Sequence, residues 1–363
     1  MHSSRWVLQL CHSYGAPFDD VARQWACLFD DTEYKILTVF LTGKPDERVT
    51  QQVGGDAVVY LGYRSKDLKG LKRKQIRDIE SLHVQYKFEF VVAHRYKPIF
   101  IAAHLRTLKV YGVLHAYGVF ESYWRRRFVE RRSDKITLLG VSNAIRDDIK
   151  LSLSKFPSER IQTFYNRVNV ETLQSGLANR AEARGYLNIP QDAYVVANVG
   201  RLHPDKDQET LLIAFAKASE SLTNAILVIV GEGRLKASLE SKARELNIIE
   251  KVVFTGRVEG VWRFFKAFDV FALTSNYEPF GMVLLEAMVA EVPVVATNVG
   301  GAPEVLGDCG HLVGLGDTEM LAKLLMSDVK TFNRELGLQR VTEKFSDSAA
   351  KREFTRLIES DAE

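Results

Sequence analysis

Glu278 and Glu286 flank Pro279-Phe280-Gly281-Met282-Val283 in the stretch from Ser275 to Met288. The stretch follows an apolar run, Val270–Leu273, and leads into a helical pattern, so Glu278 falls in a strand-to-helix turn. Gly281 allows backbone to approach a ligand closely. The amides from Phe280 to Val283 would be the unpaired N–H groups of a helix N-terminus, which together with the helix dipole favour phosphate. Glu286, about two turns into the helix, could accept hydrogen bonds from ribose hydroxyls. Glu278 could orient sugar hydroxyls or stabilise positive charge developing at an anomeric carbon. A purely structural account also exists, because acids in the first turn of a helix suit its dipole. Helix propensity does not call for a glycine at such a position, however, and the two glutamates around Pro-Phe-Gly count against that account.

A second segment, Val199-Gly200-Arg201-Leu202-His203-Pro204-Asp205-Lys206-Asp207-Gln208, follows the run Tyr194–Val199. Arg201 and Lys206 share one strand-to-helix loop and could converge on a diphosphate, stabilising it as it departs. The alternative is a surface loop with two ordinary cations. His203 is better suited to shaping the loop than to acting as a base. Gly231-Glu232-Gly233 and Thr255-Gly256-Arg257-Val258 also end apolar runs. Gly231 could line a pyrophosphate, and backbone near Arg257 and Val258 could meet a nucleobase. Pro303-Glu304 after Gly300-Gly301 is sufficiently explained as a helix start.

The elements that must position these residues are short apolar runs alternating with helical stretches. In the first half the runs are Arg5–Cys11, Tyr34–Phe40, Ala57–Leu61, Phe88–Ala93, Lys109–Leu114, Lys135–Gly140 and Arg160–Tyr165. In the second half they are Tyr194–Val199, Ile226–Val230, Val252–Phe254, Val270–Leu273 and Pro293–Ala296. Many are rich in Val and Ile without strict alternation, as parallel strands covered on both faces are. The expected class is α/β, with two doubly wound parallel sheets. The pattern pauses from Asn166 to about Asp192, which places one domain over residues 1–170 and a second over 171–345. A last helical segment, within 346–363, could pack back on the first domain. Open parallel sheets bind ligands at the carboxyl ends of their strands, so two sheets facing a central cleft could hold one ligand each.

Composition narrows the setting. The chain has 363 residues, 46% hydrophobic and 26% charged, enough for sizeable cores without disulfide or metal staples. Its three cysteines are scattered, and no Cys/His spacing suits a metal, which favours a reducing compartment. The N-terminal apolar run is too short for a signal peptide, and no stretch is long enough for a transmembrane helix. A cytoplasmic setting is expected, with peripheral contact at the inner surface of the membrane as an option. Residues 1–168 hold 28 Lys+Arg against 18 Asp+Glu, a net of +10, while the remainder holds 21 against 28, a net of −7. The basic residues concentrate between Arg64 and Arg77 and between Arg125 and Arg132. They read either as solvated helix faces or as a patch for an anionic acceptor or a membrane surface. Neither cluster sits in a nucleic-acid-binding motif, so nucleic acid is not an expected partner.

Gly-Arg-Leu-x-x-x-Lys-Asp, Gly-Glu-Gly and Glu-x-Phe-Gly-Met-x-x-x-Glu occur here in that order. Together they resemble the retaining glycosyltransferases of family 4, glycosyl transferases group 1, with the GT-B fold. The resemblance covers the C-terminal half well and extends more loosely to Val141-Ser142 and Tyr165-Asn166. It implies a nucleotide-sugar donor as substrate, no separate cofactor and no metal ion. It implies that Arg201 and Lys206 bind the diphosphate, that Glu286 binds ribose, and that Phe280, Gly281, Met282 and Val283 surround phosphate and sugar. Glu278 would contact the transferred sugar. In the first half, His115 in Leu-His-Ala-Tyr-Gly matches the family's histidine after a central strand and could bond the sugar or the acceptor. Alternatively it is satisfied within its turn. His94, after another strand, has the same two readings. Family members often carry a glycine-rich loop after the first strand, whereas His12 to Phe18 has one glycine, Gly15.

The implied activity is transfer of a hexose, with UDP as the common base in this fold, to a glycan or glycolipid acceptor, anionic to match the basic first half. Lipopolysaccharide or other cell-surface polysaccharide synthesis would fit such an acceptor. An epimerase or phosphorylase of the same fold, or a nucleotide-sugar-binding protein without turnover, remain alternatives. A nicotinamide-dependent dehydrogenase is disfavoured, since the first strand lacks Gly-x-Gly-x-x-Gly.

Overall fold

The structure is a computed structural model describing residues 5–15, 18–222, 224–327 and 333–360. The chain divides into two compact units. The first runs to Asn166 and takes back the chain from Ala350; the second is Arg167–Ala349. Sequence patterning put the divisions at 170 and 345. The observed ones follow local pairing inside the second unit, where Arg167 Nε bonds Asp347 Oδ1 at 3.1 Å and Val168 bridges Ser346.

The first unit holds seven strands: β1 Arg5–Cys11, β2 Tyr34–Thr42, β3 Ala57–Tyr63, β4 Phe90–His94, β5 Lys109–Leu114, β6 Ile136–Gly140 and β7 Ile161–Thr163. They form one parallel sheet in the order β3-β2-β1-β4-β5-β6-β7. The second unit holds six: β8 Tyr194–Val199, β9 Ala225–Val230, β10 Val252–Gly256, β11 Val270–Leu273, β12 Val294–Thr297 and β13 His311–Val313, in the parallel order β10-β9-β8-β11-β12-β13. Strands β4, β6, β11 and β12 are buried at every residue. That two-sided burial is why their sequences run apolar without alternation.

Each sheet reverses its strand order once, between β1 and β4 and between β8 and β11. These are the switch points where carboxyl-end loops diverge and leave room for a ligand. Register brings the flanking ends together: Leu10 pairs with Ala93 across β1 and β4, and Phe271 with Ala197 across β11 and β8.

Phe354, on the final helix Asp347–Ser360, explains why the chain returns to the first unit. It is 3% exposed and lies in an aromatic cluster with Trp25, Phe29, Phe90, Tyr111 and Phe164, at centroid distances of 5.4 to 6.2 Å. In the second unit the fully buried Arg184 donates to the carbonyls of Ala267, Pro190 and Gln191 and to Asp269, whose Oδ2 also accepts the amide of Val195. A buried guanidinium is tolerated only when its donors are met in this way, and these bonds fix the start of β8.

Candidate functional site

The carboxyl ends of β8 and β11 carry the two motif loops of the second unit, and the loops are stitched together. Asn276 N donates to Asp205 O at 3.1 Å, Asn276 Nδ2 to Pro204 O at 2.9 Å, and Thr274 Oγ1 to Lys206 O at 3.1 Å. Between them Lys206 Nζ meets Glu278 Oε2 at 2.7 Å, and Ser275 Oγ donates to the same oxygen at 3.0 Å. Side-chain exposure of Lys206 and Glu278 is only 17% and 8%, so this is a largely buried ion pair. Sequence reading assigned Lys206 to a diphosphate and Glu278 to a sugar; the structure pairs them with each other. Ser275, which completes the site, carried no signal beyond its place in the motif.

Arg201 turns elsewhere. Its Nη2 meets Asp205 Oδ2 at 2.9 Å and its side chain is 70% exposed. Asp205 also receives His203 Nδ1 at 2.6 Å, so His203 shapes the short turn Pro204–Lys206. Arg201 and Lys206 thus share a loop without sharing a partner.

Gly281 adopts φ +103°, a conformation that disfavours a side chain, and leads into the helix Met282–Val289. The first amides of that helix, from Met282 and Val283, are those an α-helix cannot satisfy internally. The Phe280 side chain is buried against Phe345, with centroids 5.8 Å apart, so only its backbone is placed to meet a ligand. Glu286 is the fifth residue of the helix, a little over one turn in rather than two, and is half-buried. Gly231 N donates to Gly256 O at 2.8 Å, and Arg257 N to Glu232 Oε1 at 3.4 Å, which brings the β9 and β10 loops alongside. Arg257 is exposed and Val258 half-buried.

In the first unit a buried polar chain reaches His115. Thr38 Oγ1 donates to Gln9 Oε1 at 2.9 Å, and Gln9 Nε2 donates to Ala22 O at 3.1 Å and approaches His94 Nε2 at 3.2 Å. His94 Nδ1 lies 3.3 Å from His115 Nε2. Because the Ala22 carbonyl can only accept, Gln9 Nε2 is the donor and His94 Nε2 the acceptor. The His94 proton therefore sits on Nδ1 and is given to His115 Nε2, which leaves the His115 proton on Nδ1. His115 lines a cavity of about 360 Å³ with His12, Arg95, Tyr96, Lys97 and Arg125. His94, 2% exposed and packed edge-on to Trp25, stands behind His115 and outside that wall. Gly15, exposed at φ +114°, is also outside it. Sequence reading missed His12, Arg95, Tyr96 and Lys97 as site residues; a cation next to a strand end, as in His94-Arg95-Tyr96-Lys97, was the available signal.

Burial, then the cations of Lys97 and Arg95, hold the His12 imidazole down at about pKa 4, and burial, then Arg95, holds His115 at about 3. Both are below the ordinary histidine value, so between about pH 6.5 and pH 4 the unfolded chain binds more protons than the folded one. Stability present above pH 6.5 is therefore lost as pH falls, His115 contributing at most about 1.4 kcal/mol per pH unit in that window and the half-buried, solvent-screened His12 less. Urea unfolding at pH 7.0 and 4.5 should show this fall, and His12→Ala should make the pH slope shallower. An unchanged slope would contradict the buried neutral imidazole.

Among the described residues no group of three His, Cys, Asp or Glu side chains is placed to hold a metal ion, and no helix is long and apolar enough to cross a membrane.

Residues 179–330 match the family described as Glycosyl transferases group 1. The lipopolysaccharide core biosynthesis glycosyltransferase LpsE of Rhizobium meliloti is 30% identical over 184 residues, 49% of this chain and 53% of that protein. D-inositol 3-phosphate glycosyltransferase of Saccharomonospora viridis is 34% identical over 200 residues, 52% of this chain and 46% of that protein. The chain thus spans about half the length of these curated relatives. Anabaena HepE in complex with UDP superposes with a TM-score of 0.81 at 18% identity, covering 98% of this chain and 100% of that one, a likeness of fold. The residues that match the glycosyl transferases group 1 family lie within the second unit and include the paired Lys206 and Glu278 at its switch point, and the chain as a whole has the GT-B fold.

Proposed function

We propose that the chain is a retaining glycosyltransferase that moves a hexose from a UDP-sugar to an anionic glycan or glycolipid acceptor. The observation that carries the reading is the buried Lys206–Glu278 pair set beside the first-turn amides of the helix Met282–Val289. A nucleoside diphosphate would draw on Lys206, on Arg201 and on the amides of Met282 and Val283, with Glu286 receiving ribose hydroxyls. The bond between the anomeric carbon and the diphosphate oxygen breaks, and its electron pair leaves with the diphosphate. The acceptor oxygen bonds the same carbon from the same face, and its proton passes to the departing diphosphate. Glu278 stabilises the positive charge developing at that carbon, and His115, held neutral, donates from Nδ1 to a sugar or acceptor oxygen.

Relatives named for lipopolysaccharide core biosynthesis support a cell-surface glycan as product. Tyr123 and Trp124 are 55% and 76% exposed on the basic helix Tyr123–Glu130, which suits peripheral contact with an anionic cytoplasmic membrane face.

The test is a panel of UDP-, GDP- and ADP-sugars with thermal unfolding and slow donor hydrolysis as readouts. At about 100 times Kd the matching donor should add about 2.7 kcal/mol, or roughly 5–10 °C for a unit of this size. Glu286→Ala should erase the shift. A folded sample that responds to no nucleotide or nucleotide sugar would remove the reading.

A further inference from the structure

We propose that the cavity of the first unit is an anion subsite that takes a phosphomonoester on the acceptor sugar, gripped by Arg95, Lys97 and Arg125. The inference rests on the transferase reading, since it names what the acceptor carries.

His12 follows β1, Arg95 follows β4 and His115 follows β5, so the cavity opens at the carboxyl ends of three adjacent strands and at the switch point of the sheet. Its volume, about 360 Å³, falls in the range of small-molecule sites.

The walls have one sign of charge. Arg95, Lys97 and Arg125 line the cavity, and among the described residues no Asp or Glu does. A phosphomonoester carries roughly −1.5 to −2 near neutral pH and presents three acceptor oxygens, which suits three cations better than a single carboxylate would. The field reaches Lys72 nearby, whose pKa is lowered first by burial and then by the cations of Lys97 and Arg125. Like charges gathered in a concave wall concentrate an anion's attraction.

The cations are also held in place. The Arg125 guanidinium lies 4.9 Å above the Tyr96 ring, and its Nη1 donates to Val119 O at 3.0 Å. Arg95 sits at φ +72° with its amide on Val113 O at 2.9 Å, a conformation costly for a side-chain-bearing residue. One unmet polar atom completes the wall: the buried His12 Nδ1 has no hydrogen-bond partner among the described residues.

The experiment titrates the full chain with inorganic phosphate, with a hexose 6-phosphate and with the same hexose unphosphorylated, by calorimetry. The hexose phosphate should bind at least about tenfold tighter than the free hexose, and Lys97→Gln and Arg125→Gln should each remove most of that advantage. Lys97→Arg, which keeps the charge, should retain it and guards against a variant that simply misfolds. Equal affinity for the two sugars, or a phosphate advantage untouched in both Gln variants, overturns the subsite. UDP titrated against wild type and Lys206→Ala reads the donor site separately. Phosphate lost in Lys206→Ala and displaced by UDP would reassign the anion to the donor loops and overturn the proposal. UDP binding absent while the charge-dependent phosphate advantage persists would sink the transferase reading and keep the subsite.

Discussion

Lys206→Met is expected to lower sugar transfer by about 10²–10³-fold, the loss that follows removal of one preorganised charge-stabilising donor. The same change should destabilise the second unit by about 3 kcal/mol, because Glu278, 8% exposed, would keep only Ser275 as a side-chain partner among the described residues. These effects come from different steps and can be separated. Glu278→Gln added to Lys206→Met removes the stranded charge, so most of the stability should return while transfer stays low. Urea unfolding and initial rates on the two singles and the double form the required cycle. If the double variant regained activity along with stability, the pair would be structural, and the donor would be held elsewhere.

Much of this architecture is legible in the chain. The apolar runs Arg5–Cys11, Lys109–Leu114, Tyr194–Val199 and Val270–Leu273 are strands at those bounds, because two-sided burial leaves an unambiguous apolar signature. Strand β13 was not legible. It has three residues, His311–Val313, at the sheet edge with one buried, so little of its burial is written into its composition. Both motif loops of the second unit could be placed at strand ends. Their partnership could not, since Lys206 and Glu278 are 72 residues apart and meet only because β8 and β11 are neighbours in the sheet. The same holds in the first unit. His94 was readable as a histidine at a strand end, but its burial behind His115 depends on Gln9, 85 residues away. Pairings set by strand order are beyond local pattern, and they decide which polar residue faces a ligand and which one orients it.

Strand order also makes Gly231 a position where one methyl group should be felt by both fold and site. Gly231 adopts φ +145°, and a Cβ built there would lie 1.9 Å from Gly200 O. Neither atom has a flexible side chain to move aside. Gly200 is held by its amide on Val230 O at 2.9 Å and Gly231 by its own on Gly256 O at 2.8 Å, so the clash would pry apart loops from β8, β9 and β10 together. Backbone strain of about 1–3 kcal/mol and overpacking of about 1–3 kcal/mol act at once. Gly231→Ala should thus lose about 3–5 kcal/mol, a fall of roughly 10 °C or more in Tm for this unit. Because Arg201 follows Gly200 directly, nucleotide affinity should fall at least about tenfold as well. Gly185, in the helix Arg180–Tyr186, has nothing within 4 Å of a built Cβ. There the same substitution should be neutral or stabilise by up to about 1 kcal/mol, since alanine is the better helix former. Thermal unfolding and UDP titration of the two variants side by side give the sign and the size. A Gly231→Ala protein that melts and binds like Gly185→Ala would show that contact between the β8 and β9 loops is not what shapes the donor site.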